Sequence, residues 1–315
     1  MVVRKFNYYR FFIFIVILLS IIIGSIILIK NAKYKKTYDY KLSVVGYNES
    51  EIKIIKEKLD NIHIDDILTN KYNENLDDFL IEKYFMYKNL DDYLDYKSSH
   101  KNETYSNIVA IINTEANIDW MENEKQTDTS KGNLMLVNRL YGLNSEYEVE
   151  DIVKVSSKYA YNGVKISSSI MDKITNMIDD AKEAGYTFVL SDGYRSYNEQ
   201  KNLYDKYKSS HGIREADVSV ARPGHSEYET GLSFNIVPYN KVYDNPKDSE
   251  EYKWLYNNAY RYGFIFRFTD DKKNLTLFDE FTWRLRYVGE EAASIIKSNN
   301  LCFEEYYAYY VMGEN

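Results

Sequence analysis

The sequence predicts an α+β fold, a small antiparallel sheet flanked by helices, preceded by a helical stalk and one transmembrane helix. Three observations carry that expectation. The first is an N-terminal run of 19 residues without a charge, from 11 to 29. The second is a charged stretch with helical periodicity that extends to about residue 106. The third is a C-terminal half in which short apolar runs and amphipathic helices follow one another without a repeating βαβ rhythm.

Residues 11–29 are almost all Ile, Leu, Phe or Val, and the run is about as long as a bilayer core requires. A cleaved signal peptide has a shorter apolar stretch that ends in small residues. Here Gly24 and Ser25 are followed by Ile26, Ile27, Leu28 and Ile29 before Lys30, which favours an uncleaved anchor over residues 11–30 behind a short basic tail of residues 1–10. Arg4, Lys5 and Arg10 face Lys30, Lys33, Lys35 and Lys36 across it, so basic charge does not assign a side.

The chain has 315 residues and 44% hydrophobic content, enough to bury a core, which excludes disorder throughout. A formal net charge of -8 argues against a nucleic-acid partner, which demands clustered Lys and Arg. The single cysteine, Cys302, can form neither an internal disulfide nor a multi-cysteine zinc site and reads as a buried thiol. The 33 tyrosines are scattered through the chain, as biased base composition produces, and mark no single surface.

In the stalk, residues 31–106, Ile52, Ile55 and Leu59, then Leu80, Tyr84 and Tyr87, recur at helical spacing. Pro223, Pro238 and Pro246 all lie in the C-terminal half, so no Pro-rich linker marks a boundary; it is placed near Ser106, with one domain over residues 107–315. Residues 108–112 read as a strand, and Met135, Leu136 and Val137 as a second strand candidate. Residues 169–184 read as a helix with Ile170, Ile174, Met177, Ile178 and Ala181 on one face and Gly185 at its C-terminal cap. A strand at 187–190 runs into a turn. Ser196 and Glu199 then form a capping box for a helix that sends Gln200, Leu203, Tyr204 and Tyr207 inward. Asp248 and Glu251 read as the start of a helix ending at Gly263, with Leu255, Ala259 and Tyr262 inward. Gly289 opens the last helix, with Ala292, Ile295 and Ile296 inward. Along residues 232–237, alternation puts Leu232, Phe234 and Ile236 on one face and Ser233 and Asn235 on the other.

Three blocks carry a resemblance. They are Ser191-Asp192-Gly193-Tyr194-Arg195-Ser196 with Gln200; residues 221–235, with Ser226, Glu227, Tyr228, Glu229, Gly231 and Asn235; and Trp283-Arg284-Leu285-Arg286-Tyr287-Val288-Gly289. With the intervening Gly263-Phe264-Ile265-Phe266-Arg267-Phe268, their order and spacing resemble the core of VanY-type D-alanyl-D-alanine carboxypeptidases and related L,D-carboxypeptidases over about residues 134–307. The resemblance implies a Hedgehog/D,D-peptidase-like α+β core outside the cytoplasmic membrane. It also implies a zinc ion held by two histidines and an aspartate, with a glutamate as general base and an open position for water.

Carried over position by position, those ligands fall on Tyr228, Asn235 and Arg284, and the base falls on Phe281. Tyrosine must lose a proton of pKa near 10 to ligate, asparagine offers a neutral carbonyl, arginine is a permanent cation with no lone pair, and phenylalanine cannot move a proton. The expectation is therefore no zinc cofactor and no catalytic residue. A rescue site from His211, Asp217 and His225 has ligand-type residues but no motif behind it; the resemblance implies that His225 is not a ligand. Sliding the third block by one would offer Glu280 as a base but no ligand. What the resemblance leaves intact is substrate holding: Arg195 for a terminal carboxylate, with Ser226 beside the site, or alternatively both as scaffold, and Arg284 as a second cation. Trp283 and Tyr287 read as core. The expected function is a membrane-anchored pseudopeptidase that binds peptidoglycan stem peptides or a cell-envelope protein. The alternatives are an active D,D- or L,D-carboxypeptidase with an unrecognised site and a purely structural domain.

Overall fold

A computed structural model describes residues 7–119 and 122–312. The chain divides into two compact units, residues 1–109 and 110–315.

In the first unit, α1 (Tyr8–Tyr34) starts at Asn7, whose side chain accepts the Arg10 amide, and buries none of its residues. By length and composition it can cross a membrane. Short helices follow: α2 (Tyr38–Val45), α3 (Glu49–Lys58), α4 (Asn61–Ile67), α5 (Leu76–Leu80) and α6 (Leu90–Ser99). Helices this short are held by packing more than by propensity. Leu42, Ile52, Ile55, Ile64, Ile67 and Leu80 supply that packing.

The division falls within α7 (Tyr105–Asn113), which corrects the strand expected over residues 108–112. Ile108, Val109, Ala110, Ile111 and Ile112 are all buried, so the run shows no periodicity that could separate a buried strand from a buried helix. The helix-start signal lay just upstream, where Thr104 Oγ1 accepts the Asn107 amide.

In the second unit, β1 (Lys125–Gln126) pairs with β2 (Tyr141–Gly142), and β3 (Ile152–Lys154) with β4 (Lys165–Ser167). Then come α8 (Met171–Glu183), β5 (Phe188–Asp192), α9 (Tyr197–His211), α10 (Ile213–Ser219), β6 (Ser233–Pro238), α11 (Glu250–Asn258), β7 (Phe264–Phe266), α12 (Lys273–Thr276), β8 (Arg284–Tyr287), α13 (Glu290–Asn299) and α14 (Phe303–Tyr306). The order β5-β6-β8-β7, antiparallel at every step, makes the small helix-flanked sheet of an α+β unit. Its core joins Ile174, Met177 and Ile178 of α8 to Phe188, Phe234, Phe264 and Leu285 of the sheet.

Several local expectations shift. Helix α8 begins two residues later than Ser169, after a 3-10 turn at Ser168–Ile170. Helix α9 has its Ser196–Glu199 capping box, but Leu203 is 37% exposed and lines a cleft rather than the core. Ser249, not Asp248, caps α11, and Glu251 bonds to Lys241 and the Tyr243 hydroxyl instead of closing a box. Met135, Leu136 and Val137 are buried but form no strand. The Met135 carbonyl accepts the Arg286 guanidinium at 3.0 Å, so part of that segment's polar backbone is satisfied by a side chain instead of a ladder.

Candidate functional site

The sheet register assembles the site. Asp192 on β5 stands opposite Asn235 on β6, and Asn235 opposite Arg284 on β8, so one row crosses three strands. Beyond Asp192 the chain must turn at Gly193, where a Cβ would lie 2.3 Å from the Lys165 carbonyl oxygen and only glycine fits. The turn delivers Arg195. Its guanidinium donates to Asp192 and, at 3.3 Å, to Gln200 Oε1, and sits 4.4 Å from the Tyr228 ring centre. Gln200 in turn donates to the Ala221 carbonyl at 2.7 Å, which fixes the loop carrying Ser226.

That loop is strapped from two sides. Gly224, at φ +87, has its carbonyl bonded by Leu143 N at 2.7 Å. His225 is 7% exposed, with Nδ1 2.8 Å from the Asn138 carbonyl and Nε2 3.2 Å from Glu124. Its ring is a strut between loops. Glu229 accepts the amides of Gly224 at 2.9 Å and Ser226 at 3.3 Å. Burial pushes its carboxyl up to about 7, against the pull of those two N–H groups.

Tyr228, Asn235 and Arg284 come together. The Tyr228 hydroxyl donates to Asn235 Oδ1 at 2.8 Å, and Arg284 Nε reaches the same oxygen at 3.4 Å. Burial raises the Tyr228 phenol above its ordinary value, outweighing the nearby Arg284 and Arg195 cations, so the hydroxyl keeps its proton. The Arg284 guanidinium lies 3.9 Å from the ring centre of Phe281, 4.7 Å from that of Tyr228 and 5.7 Å from that of Phe268. Among the described residues no carboxylate pairs with it. Arg195, Ser226, Tyr228, Phe281 and Arg284 line one cavity of about 180 Å³.

The rescue readings separate. Asp217 is bound by Arg222 at 2.8 and 2.7 Å and by the Tyr204 hydroxyl at 2.6 Å, while His211 is exposed and stacks on Tyr207. Glu280 pairs with Lys247 at 2.7 Å. No group of three His, Cys, Asp or Glu side chains suited to a metal occurs among the described residues. Trp283 and Tyr287 pack against the core.

Sequence reading missed a buried ion cluster behind the cleft. Arg267 donates through Nε to Glu227 at 2.7 Å and grips both oxygens of Glu304 at 2.9 and 2.7 Å. Arg286 approaches Glu227 at 3.3 Å and donates to the carbonyls of Asn133 and Met135. The signal available was the Arg-x-Arg spacing on β8, which puts Arg284 and Arg286 on one face.

With this geometry in hand, the relatives are informative. The family model for VanY, D-alanyl-D-alanine carboxypeptidase, matches residues 163–290. A Bacillus subtilis (strain 168) protein that bears the name "Putative carboxypeptidase YodJ" is 34% identical over 221 residues, 67% of this chain and 79% of the relative. The LdcB LD-carboxypeptidase, solved for the molecular basis of peptidoglycan recognition, is 34% identical, with a TM-score of 0.56 over 59% of this chain and 90% of that one. The chain belongs to the VanY family of D-alanyl-D-alanine carboxypeptidases.

Membership corrects the expectation of no cofactor. A VanY D,D-pentapeptidase from a VanB-type resistance cassette is solved in complex with Zn(II); it is 33% identical, covers 55% of this chain and 98% of its own, and has a TM-score of 0.48. The residues at the carried-over ligand positions do not fit zinc: a proton-bearing phenol, a carboxamide oxygen already taken by two donors, and a guanidinium.

Proposed function

We propose that this protein is a membrane-anchored, extracytoplasmic VanY-type domain that binds the C-terminal end of peptidoglycan stem peptides in the Arg195–Arg284 cleft without hydrolysing it. The observation that carries this reading is Arg284, a cation facing the cleft with an amide oxygen and aromatic rings around it and no carboxylate among the described residues. A planar guanidinium takes a carboxylate through two parallel hydrogen bonds, and Arg195 offers a second one across the Tyr228 ring. The peptide end would lie against Ser226 and be held at two points. Phe281 can neither take nor give a proton, so the position from which the family's base would activate water is inert here. The family's name, D-alanyl-D-alanine carboxypeptidase, and a relative solved for peptidoglycan recognition support the ligand class. Residues 11–30 supply the anchor.

The names of those relatives favour a second reading, hydrolysis of the same peptides through a site elsewhere in the cleft. One experiment separates the two. Full-length protein in detergent, with Zn(II) added, is incubated with a D-Ala-D-Ala-terminated peptide and the released D-alanine is measured. Binding without release supports the first reading; turnover that survives in Arg284→Ala supports the second. The positional assignment has its own test. Tyr228→His, Asn235→Asp, Phe281→Glu and Arg284→His together should raise zinc uptake above that of the unchanged chain, and a folded variant with no gain would contradict the assignment.

A further inference from the structure

Glu227 is 5% exposed, yet it lines the cleft beside Ser226 and Arg284. Its Oε1 is shared by Arg267 at 2.7 Å and Arg286 at 3.3 Å. Its Oε2 is buried and has no hydrogen-bond partner among the described residues. A buried acceptor without a donor is costly, and native folds leave few of them.

The sheet register puts this oxygen's surroundings next to the proposed carboxylate seat. Arg284 and Arg286 are alternate residues of β8, opposite Asn235 and Ser233 of β6. The Arg286 row, to which Glu227 is tied, therefore lies about 7 Å along the strand from the Arg284 row. A peptide whose carboxylate sits at Arg284 has its last amide within a residue's length of that end.

Charge decides which donor suits Glu227. Arg267 and Arg286 already balance Glu227 and Glu304 in a place closed to water. A ligand ammonium would bring an uncompensated charge there, whereas a neutral N–H would satisfy the oxygen and leave the balance intact.

We propose that Glu227 Oε2 accepts a peptide N–H of the ligand whose terminal carboxylate lies between Arg195 and Arg284, so that the cleft selects peptide ends over other carboxylates. The inference rests on the stem-peptide reading above and names the group that recognises the peptide bond. Arg195 and Arg284 read the charge; Glu227 reads the amide.

The test compares N-acetyl-D-Ala-D-Ala with its ester analogue N-acetyl-D-Ala-D-lactate, in which one N–H becomes an oxygen. Titrated into the full-length protein in detergent, the amide should bind at least about tenfold more tightly, because the ester loses a charge-assisted hydrogen bond and sets one acceptor against another. Glu227→Gln can keep an oxygen toward Arg267 and turn an NH2 toward the cleft, so it should bring the two affinities together. If it weakens both ligands by the same factor, Glu227 is only structural and the proposal is overturned. Equal affinities in the unsubstituted protein overturn it as well, whatever the variant does to folding. If neither ligand binds, the stem-peptide reading itself has failed; if both bind alike, only the role of Glu227 has.

Discussion

Arg284 and Arg286 stand two residues apart on one face of β8, and their surroundings are opposite. Arg286 is fully buried and held by Glu227 and the carbonyls of Asn133, Met135 and Tyr287. Arg284, at the cleft, has one long bond to an amide oxygen and a cage of rings. A cation closed off from water must be matched within the fold, whereas a cation in a cleft can wait for its counter-charge. The contrast points to Arg284, a cleft arginine with no carboxylate partner among the described residues, as the place for a ligand.

The largest expected effect belongs to the buried side. Arg267→Ala leaves Glu227 and Glu304 without their main partner, and stability to urea should fall by about 3–5 kcal/mol. A loss under 1 kcal/mol would break the comparison, because the buried pair would then be no more committed than the cleft pair.

The next effect concerns the strap under the cleft loop. Glu229 has its folded-state value raised to about 7, above its ordinary 4.5, so the protonated form is favoured in the fold. The stability linked to it is complete below 4.5 and is lost as pH rises toward 7, with a slope of about 1.4 kcal/mol per pH unit between those limits. Glu229→Gln should flatten that part of the profile, as denaturation at a series of pH values would show; an unchanged slope would assign it to other groups.

Arg284→Ala sharpens the contrast from the cleft side. It should change stability by no more than about 0.5 kcal/mol, as for a group with few fixed partners. Affinity for a D-Ala-D-Ala-terminated peptide should drop by about 1.5–3 kcal/mol, as for a lost hydrogen bond to a charged group. Calorimetric titration beside a melting curve reads both. A large loss of stability with unchanged affinity would make Arg284 a structural residue.

Much of the fold was legible because its signals are local. The Ser196–Glu199 capping box, the α8 face and the alternation along β6 each lie within a few residues of chain. Residues 108–112 were not legible because an unbroken apolar run carries no period. Met135, Leu136 and Val137 misled because they are buried like a strand, but Arg286, 151 residues away from Met135, takes that carbonyl. In the cleft, the three positions carried over from the resemblance, Tyr228, Asn235 and Arg284, come together because the strand register puts Asn235 opposite Arg284. The Arg267–Glu227–Glu304 cluster stayed hidden, since it joins residues 40 and 37 positions apart and no short pattern announces such a pairing.

The central claim is that the cleft holds a peptide end without cleaving it. The most direct measurement titrates a D-Ala-D-Ala-terminated peptide into the full-length protein in detergent with Zn(II) present, then assays the same sample for free D-alanine. The account predicts saturable binding that weakens in Arg284→Ala, with no D-alanine released above a protein-free control. Release of D-alanine in proportion to protein would contradict it, and so would the absence of any saturable binding.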